Sequence, residues 1–227
     1  MINSQLASVL IAIIILAPLL GAIIAGFFGK SIKNSGVNFF TVILCGLSFV
    51  LSGLLAYGVF SGDVYSVTYY QWASISSAFS FDVGFTVNQI TVYMMLIITF
   101  VSTLVHVYSI GYMKGEDGYA RFFAYISGFT FAMLCLVMGN NFLILFFGWE
   151  GVGVFSYLLI GFYFDREKAN VASLRAFLVN RVGDLGFLLG IGAVILYTGS
   201  VDYSTVFAAL PNINNTQIIT FLGISFT

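Results

Sequence analysis

The chain has 227 residues, of which 60% are hydrophobic and only 7% charged, with a formal net charge of -1 and a mean hydropathy of +1.04. An ordinary soluble domain carries about 25% charged residues, and 8 Lys and Arg with 9 Asp and Glu cannot cover one of this size, so the chain is a protein dissolved in lipid. Two prolines among so many large apolar residues exclude a disordered or collagen-like chain. A near-neutral charge without any basic run leaves nucleic acid nothing to bind.

A membrane crossing needs about 20 mostly apolar residues. Six segments qualify, at about 6–28, 37–60, 90–112, 122–139, 141–164 and 171–197, and a seventh begins near Gln217 and is cut off at Thr227. The first has no basic flank before it and no clear small-x-small cleavage site, so a retained helix is expected instead of a cleaved signal. Cys45 and Cys135 lie inside apolar runs, with no disulfide framework and no metal-ligand spacing. Between the second and third segments, Phe79, Phe81, Val83, Phe85 and Val87 alternate strictly, and VYSVTYYQWAS is rich in β-branched and aromatic residues. Together they predict a β-hairpin on the outer surface, with Tyr65, Tyr69, Tyr70 and Trp72 as a headgroup-level aromatic belt. The fourth and fifth segments are separated only by a four-residue turn and are expected to lie antiparallel. The whole, 1–227, reads as one all-α polytopic membrane domain, with no linker and no internal repeat.

The basic residues orient it. Lys30 and Lys33 follow the first segment, Lys114 and Arg121 the third, and Arg166 and Lys168 the fifth; the alternate connections carry no Lys or Arg. Under the positive-inside rule the N-terminus is expected outside. Arg175 is shallow enough to snorkel to the inner surface, and only Arg181 escapes this partition.

Ionisable groups at membrane depth are where a functional reading starts. Glu150 is the tenth residue of the fifth segment, roughly 15 Å in at 1.5 Å per residue. A carboxyl poised there between desolvation and a counter-charge can take and release protons; the plainer alternative is a neutral Glu hydrogen-bonded to a neighbouring helix. Arg181 and Asp184, three residues apart on one helix face and equally deep, can pair, as a structural ion pair or as a fixed dipole beside a proton site. His106, the one histidine, suits proton uptake from the inside, although a lone buried histidine is also a common packing residue. Gly148, Gly151 and Gly153, with Gly183, Gly186, Gly190 and Gly192, predict close packing of the fifth segment on the sixth. No phosphate-cradling loop, metal cluster, haem-type histidine pair or catalytic triad is present.

The stretches FFGWEGVGVFSYLLIGFYF, LRAFLVNRVGDLGFLL and HVYSIGYMKGEDGYARFFAYI resemble the L, or chain 5, subunits of NADH-quinone oxidoreductase, respiratory complex I. The resemblance covers nearly the whole chain and is strongest from His106 to Leu189. It implies an antiporter-like subunit of the membrane arm, in a bacterial or mitochondrial inner membrane, that moves protons when quinone is reduced elsewhere. NADH, FMN, iron–sulfur clusters and quinone are then expected in partner subunits, with no cofactor in this chain, and the neighbours are other membrane-arm subunits and lipid. The resemblance implies proton-pathway roles for Glu150, Arg181, Asp184 and His106, with the glutamate paired to a lysine on a broken seventh helix. Two departures stand out. Such subunits run to several hundred residues, so the lysine partner is missing here and the chain is expected to be a fragment or a split subunit completed by a second chain. Where an acidic residue is usual before the third helix, this chain has Val87-Asn88-Gln89, and no role is carried to Asn88. The alternatives are a large subunit of an Mrp-type Na⁺/H⁺ antiporter, with similar motifs, and a non-pumping fragment that only anchors assembly.

Overall fold

A computed structural model of the chain describes residues 3–76, 79–209, 219–221 and 224–226. Five of its helices are long and apolar enough to cross a membrane. The first, α1 (Ser4–Phe60), spans both of the first two predicted segments and leaves helical geometry only at Lys33, at φ 63° and ψ 163°. The connection expected over residues 29–36 is therefore a single redirecting residue, because the Lys, Ser and Ile around it hold helix without strain. Lys33 itself sits in a backbone region favoured by glycine, which costs about 1–3 kcal/mol. The two limbs of α1 fold onto each other: the Ser48 hydroxyl donates to the Ile14 carbonyl at 2.9 Å. Thr41 and Ser52 turn their hydroxyls back onto carbonyls one turn earlier, which satisfies them inside an apolar bundle.

After α1 come β1 (Tyr65–Ser76) and β2 (Phe79–Val87), an antiparallel pair with three register shifts. The alternation read from the sequence thus forms the predicted hairpin, and Phe85 and Val87 bury against α1, α2 and α3. Tyr70 and Trp72 are exposed as a belt requires, but Tyr65 is buried and donates to Asp63. It turns inward because its register position shares a face with Val67 and Val87.

α2 (Gln89–Tyr112) begins at Asn88, whose side chain accepts from the Thr91 amide at 3.0 Å; a helix cap is the role of this residue. α3 (Tyr119–Met138) is followed, after a tight turn, by α4 (Phe142–Ile160). Asn141 caps α4, accepting from the Leu143 and Ile144 amides, while its Nδ2 donates to the Asp82 carbonyl at 2.7 Å. The Asn140 amide donates to the Gly84 carbonyl, and the Phe142 amide to the Val201 carbonyl. One short turn thereby ties the hairpin to the loop after α5 (Glu167–Thr198) and before α6 (Tyr203–Ala209). A Cβ at Gly84 would lie 2.2 Å from the side-chain Nδ2 of Asn140 and 2.8 Å from its Cγ, so glycine leaves that side chain its place beside β2.

Two expectations are overturned. No seventh helix forms from Gln217 among the described residues, where β3 (Ile219–Phe221) and β4 (Ile224–Phe226) pair antiparallel. Ile, Thr and Phe, which recur here, favour a strand. The glycines also serve a different interface from the one predicted. A Cβ on Gly148 would meet the Leu136 backbone nitrogen at 2.4 Å, and one on Gly151 the Ala132 Cβ at 2.8 Å, so these two α4 glycines let α3 come close, while Gly153 faces Asn180 of α5 at an ordinary 3.7 Å. Gly183, Gly186, Gly190 and Gly192 on α5 have nothing within 4 Å of such a Cβ. Aromatic and charged side chains occupy the space between α4 and α5 and hold the two backbones apart.

The two glycine sets predict opposite responses. Gly148→Ala should destabilise the folded chain by about 1–3 kcal/mol through overpacking against α3, whereas Gly186→Ala should be neutral or slightly stabilising from helix propensity. Unfolding in detergent, followed by circular dichroism, measures both. At the turn hub, burial and then the nearby charge of Asp82 raise the carboxyl of Asp202 above its usual range. A raised carboxyl binds its proton more tightly when folded, so stability falls as pH rises above the ordinary carboxylate range. Asp202→Asn should therefore melt higher than the parent at pH 7, and the difference should close as the pH is lowered through that range.

Candidate functional site

α4 and α5 are the most weakly covered helices of the bundle. Gly148 is the one buried residue of α4, and α5 buries only Ser173, Asp184 and Ile191. Around Asp184 the leucines and valines of α5 face outward, with Val182 74% and Leu185 62% exposed. The helix is thus turned with a carboxylate inward and aliphatic side chains exposed, an arrangement that apolar burial alone would not select.

The inward groups meet in one cluster. The Arg181 guanidinium pairs with Glu150 across the helices and lies 3.6 Å from Asp184 one turn along its own helix. The indole Nε1–H of Trp149 donates to Asp184 Oδ1 at 2.8 Å. The guanidinium carbon stands 4.8 Å from the Phe177 ring centroid, and Phe187 packs edge-on to Trp149 at 6.0 Å. A cavity of about 210 Å³ opens on the cluster, lined by Trp149, Glu150, Phe177, Asn180, Arg181 and Asp184 among others. A water takes about 30 Å³ of liquid volume, so the space has room for several beside the charged groups that line it.

Charge balance gives the cluster its chemistry. Two carboxylates share one guanidinium, and the guanidinium stays charged at every ordinary pH. With both acids ionised the site carries one more negative than positive charge, and the guanidinium that balances them is itself part-exposed.

Sequence reasoning placed Glu150, Arg181 and Asp184 at similar depth, and the structure brings these three together. The cross-helix partner of Glu150 is Arg181, however, which the reading had paired only with Asp184 along its own helix. At i, i+3 the pair has poorer geometry than a guanidinium reaching across to a facing carboxylate. Trp149, Phe177 and Asn180 were missed as site residues. Phe177 carried a weak signal, lying one turn before Arg181; nothing in the spacing showed that the Trp149 indole would turn to Asp184.

His106 is not part of this cluster. It is fully buried between α2 and α3, with Nδ1 2.7 Å from the Ser102 carbonyl and Nε2 2.9 Å from the Ser127 hydroxyl. A carbonyl only accepts, so Nδ1 donates there, and in the neutral ring Nε2 accepts from Ser127. Both nitrogens are satisfied, and Ser102 also contacts Thr130 and Cys45. The ring neither lines the cavity nor bonds to its residues.

Comparison with known proteins assigns the family. Residues 72–123 match the family described as NADH-Ubiquinone oxidoreductase (complex I), chain 5 N-terminus. Residues 139–227 match that described as NADH:quinone oxidoreductase/Mrp antiporter, TM. NADH-quinone oxidoreductase subunit L of Neisseria meningitidis serogroup A is 50% identical over 219 residues, covering 95% of this chain and 32% of that protein. NADH-ubiquinone oxidoreductase chain 5 of Cryphonectria parasitica is 44% identical over 213 residues, covering 93% and 32%. Subunit L of Rhodobacter capsulatus is 44% identical over 216 residues, covering 91% and 30%. A chain in the structure of the membrane-bound sulfane sulfur reductase, an archaeal respiratory membrane complex, superposes with a TM-score of 0.74 at 18% identity, over 92% of this chain and 41% of that one; that likeness is one of fold. The chain belongs to the subunit L/chain 5 family of complex I membrane proteins, a multi-pass class, and spans about a third of the length of these relatives.

The cluster's energetics can be tested directly. Trp149→Phe removes one charge-assisted hydrogen bond and should cost about 1.5–3 kcal/mol of stability. Arg181→Gln, which strands two carboxylates, should cost more, about 3 kcal/mol or above. Adding Glu150→Gln and Asp184→Asn to Arg181→Gln should recover a large part of that loss. Denaturation of the reconstituted variants checks the order.

Proposed function

We propose that this chain supplies part of a proton-translocating, antiporter-like subunit in the membrane arm of NADH:quinone oxidoreductase, in a bacterial or mitochondrial inner membrane. The two limbs of α1 each cross the bilayer, so the five long helices make six crossings of a single membrane domain, with the N-terminus and the hairpin outside. Energy released by quinone reduction in other subunits drives the pump. NADH, flavin, iron–sulfur clusters and quinone are bound by those subunits, and this chain contributes no redox centre.

The observation that carries the reading is the sharing of Arg181 between Glu150 and Asp184 beside a cavity roomy enough for water. Moving the guanidinium toward one carboxylate frees the other to bind a proton, and moving it back expels that proton. The cavity provides the water contact through which protons arrive and leave. Trp149 holds Asp184 in place through its indole N–H, which makes Glu150 the group freer to exchange. His106 serves a separate polar link among α1, α2 and α3, and can relay protons only if Ser102 or Ser127 turns away from it. The relatives at 44–50% identity are named as complex I subunits, which favours this reading over a sodium–proton antiporter of the Mrp type.

In the assembled complex, Glu150→Gln should cut proton pumping about tenfold or more, in the range usual for removing a proton-transfer group. NADH oxidation should slow with it while assembly is retained. Asp184→Asn should reduce pumping less. Proton uptake by energised membrane vesicles, read beside NADH oxidation, decides; normal pumping in both variants removes the mechanism.

A further inference from the structure

A second cavity, of about 520 Å³, lies under the hairpin, where Tyr69, Trp72 and Phe85 face Ala12 of α1, Phe131 of α3 and Phe147 of α4. Its volume falls within the range of ligand sites, about 300–1,000 Å³. The lining is aliphatic and aromatic apart from Asp82, and the Tyr69 hydroxyl there already donates to the Ser8 carbonyl. Water has too few polar partners to fill such a space. From the start of α1 to Leu16 the cavity reaches roughly 18 Å deep, and from the start of α4 to Phe147 roughly 8 Å, at 1.5 Å per residue. That depth is one leaflet of a hydrocarbon core about 30 Å thick. Trp72, 76% exposed, stands at its rim, where an indole suits the headgroup level.

The charges around the rim narrow the occupant. Asp63, Asp82 and Asp202 lie at this end of the bundle, while residues 3–29, 61–76, 79–88, 139–141 and 199–209 contain no Lys or Arg. Among the described residues an anionic headgroup finds no Lys or Arg there and three carboxylates to repel it; the ammonium of a zwitterionic headgroup meets Asp82 at the cavity edge. We propose that this cavity is a binding site for one acyl chain of a zwitterionic phospholipid of the outer leaflet, such as phosphatidylethanolamine, which fastens the hairpin to α1 and α4. The site is independent of the Glu150–Arg181–Asp184 cluster.

The test uses the chain carrying Trp149→Phe, so that Trp72 alone fluoresces, in phosphatidylcholine vesicles titrated with lipids brominated on their acyl chains. Brominated phosphatidylethanolamine should quench Trp72 at mole fractions about fivefold lower than brominated phosphatidylglycerol, the preference expected from roughly one favourable charge contact near the surface. Ala12→Phe, which fills the cavity, should weaken the phosphatidylethanolamine quenching. Equal quenching by the two lipids means annular contact only and overturns the proposal, as does an absence of quenching, which means that protein covers the cavity. If Ala12→Phe does not fold, the two-lipid comparison on the unfilled cavity decides alone.

Discussion

One guanidinium held between two carboxylates, inside helices that are otherwise aliphatic, sets the constraints that the neighbouring structure obeys. Removing such charges from water is expensive, and only mutual pairing with good geometry offsets it. α5 therefore turns Asp184 inward and leaves Val182 and Leu185 facing out. α4 presents Glu150 to the same point, and the Trp149 indole and the Phe177 ring complete the shell. The separation of α4 and α5 follows as well. Two backbones in glycine-mediated contact would leave no room for a guanidinium between them.

The close contacts are made one helix earlier. Gly128, Gly148 and Gly151 let α3 and α4 approach until side-chain atoms fill the groove, so α3 sits firmly against both α1 and α4. The bundle thus has a tightly packed side, α1 to α4, and a looser, polar side where α5 lies. The proton exchange proposed for the cluster suits the looser side, because exchange needs water and small displacements that dense packing would forbid. His106 has both nitrogens engaged in the packed part.

The outer end is organised by a single turn. Asn141 caps α4 and donates its side-chain amide to the Asp82 carbonyl of β2, while the Asn140 backbone donates to the Gly84 carbonyl and accepts from the Tyr203 amide at the start of α6. Side-chain amides suit this task because they donate and accept at once. The apolar cavity beside this turn is what remains when a twisted hairpin covers the ends of nearly parallel helices.

Composition and hydropathy alone marked the membrane class, the long apolar stretches and the hairpin, because each rests on local pattern: about 20 apolar residues for a helix, strict alternation for the strand from Phe79 to Val87. Charges at depth likewise marked Glu150, Arg181 and Asp184, since their cost in lipid holds whatever the fold. Tertiary structure decided which of them pair. That Arg181 reaches Glu150, that the Trp149 indole turns to Asp184, and that Gly148 and Gly151 meet α3 instead of α5 all depend on how helices rotate about their axes. That rotation is a property of the whole bundle, with no signature in the spacing along any one helix.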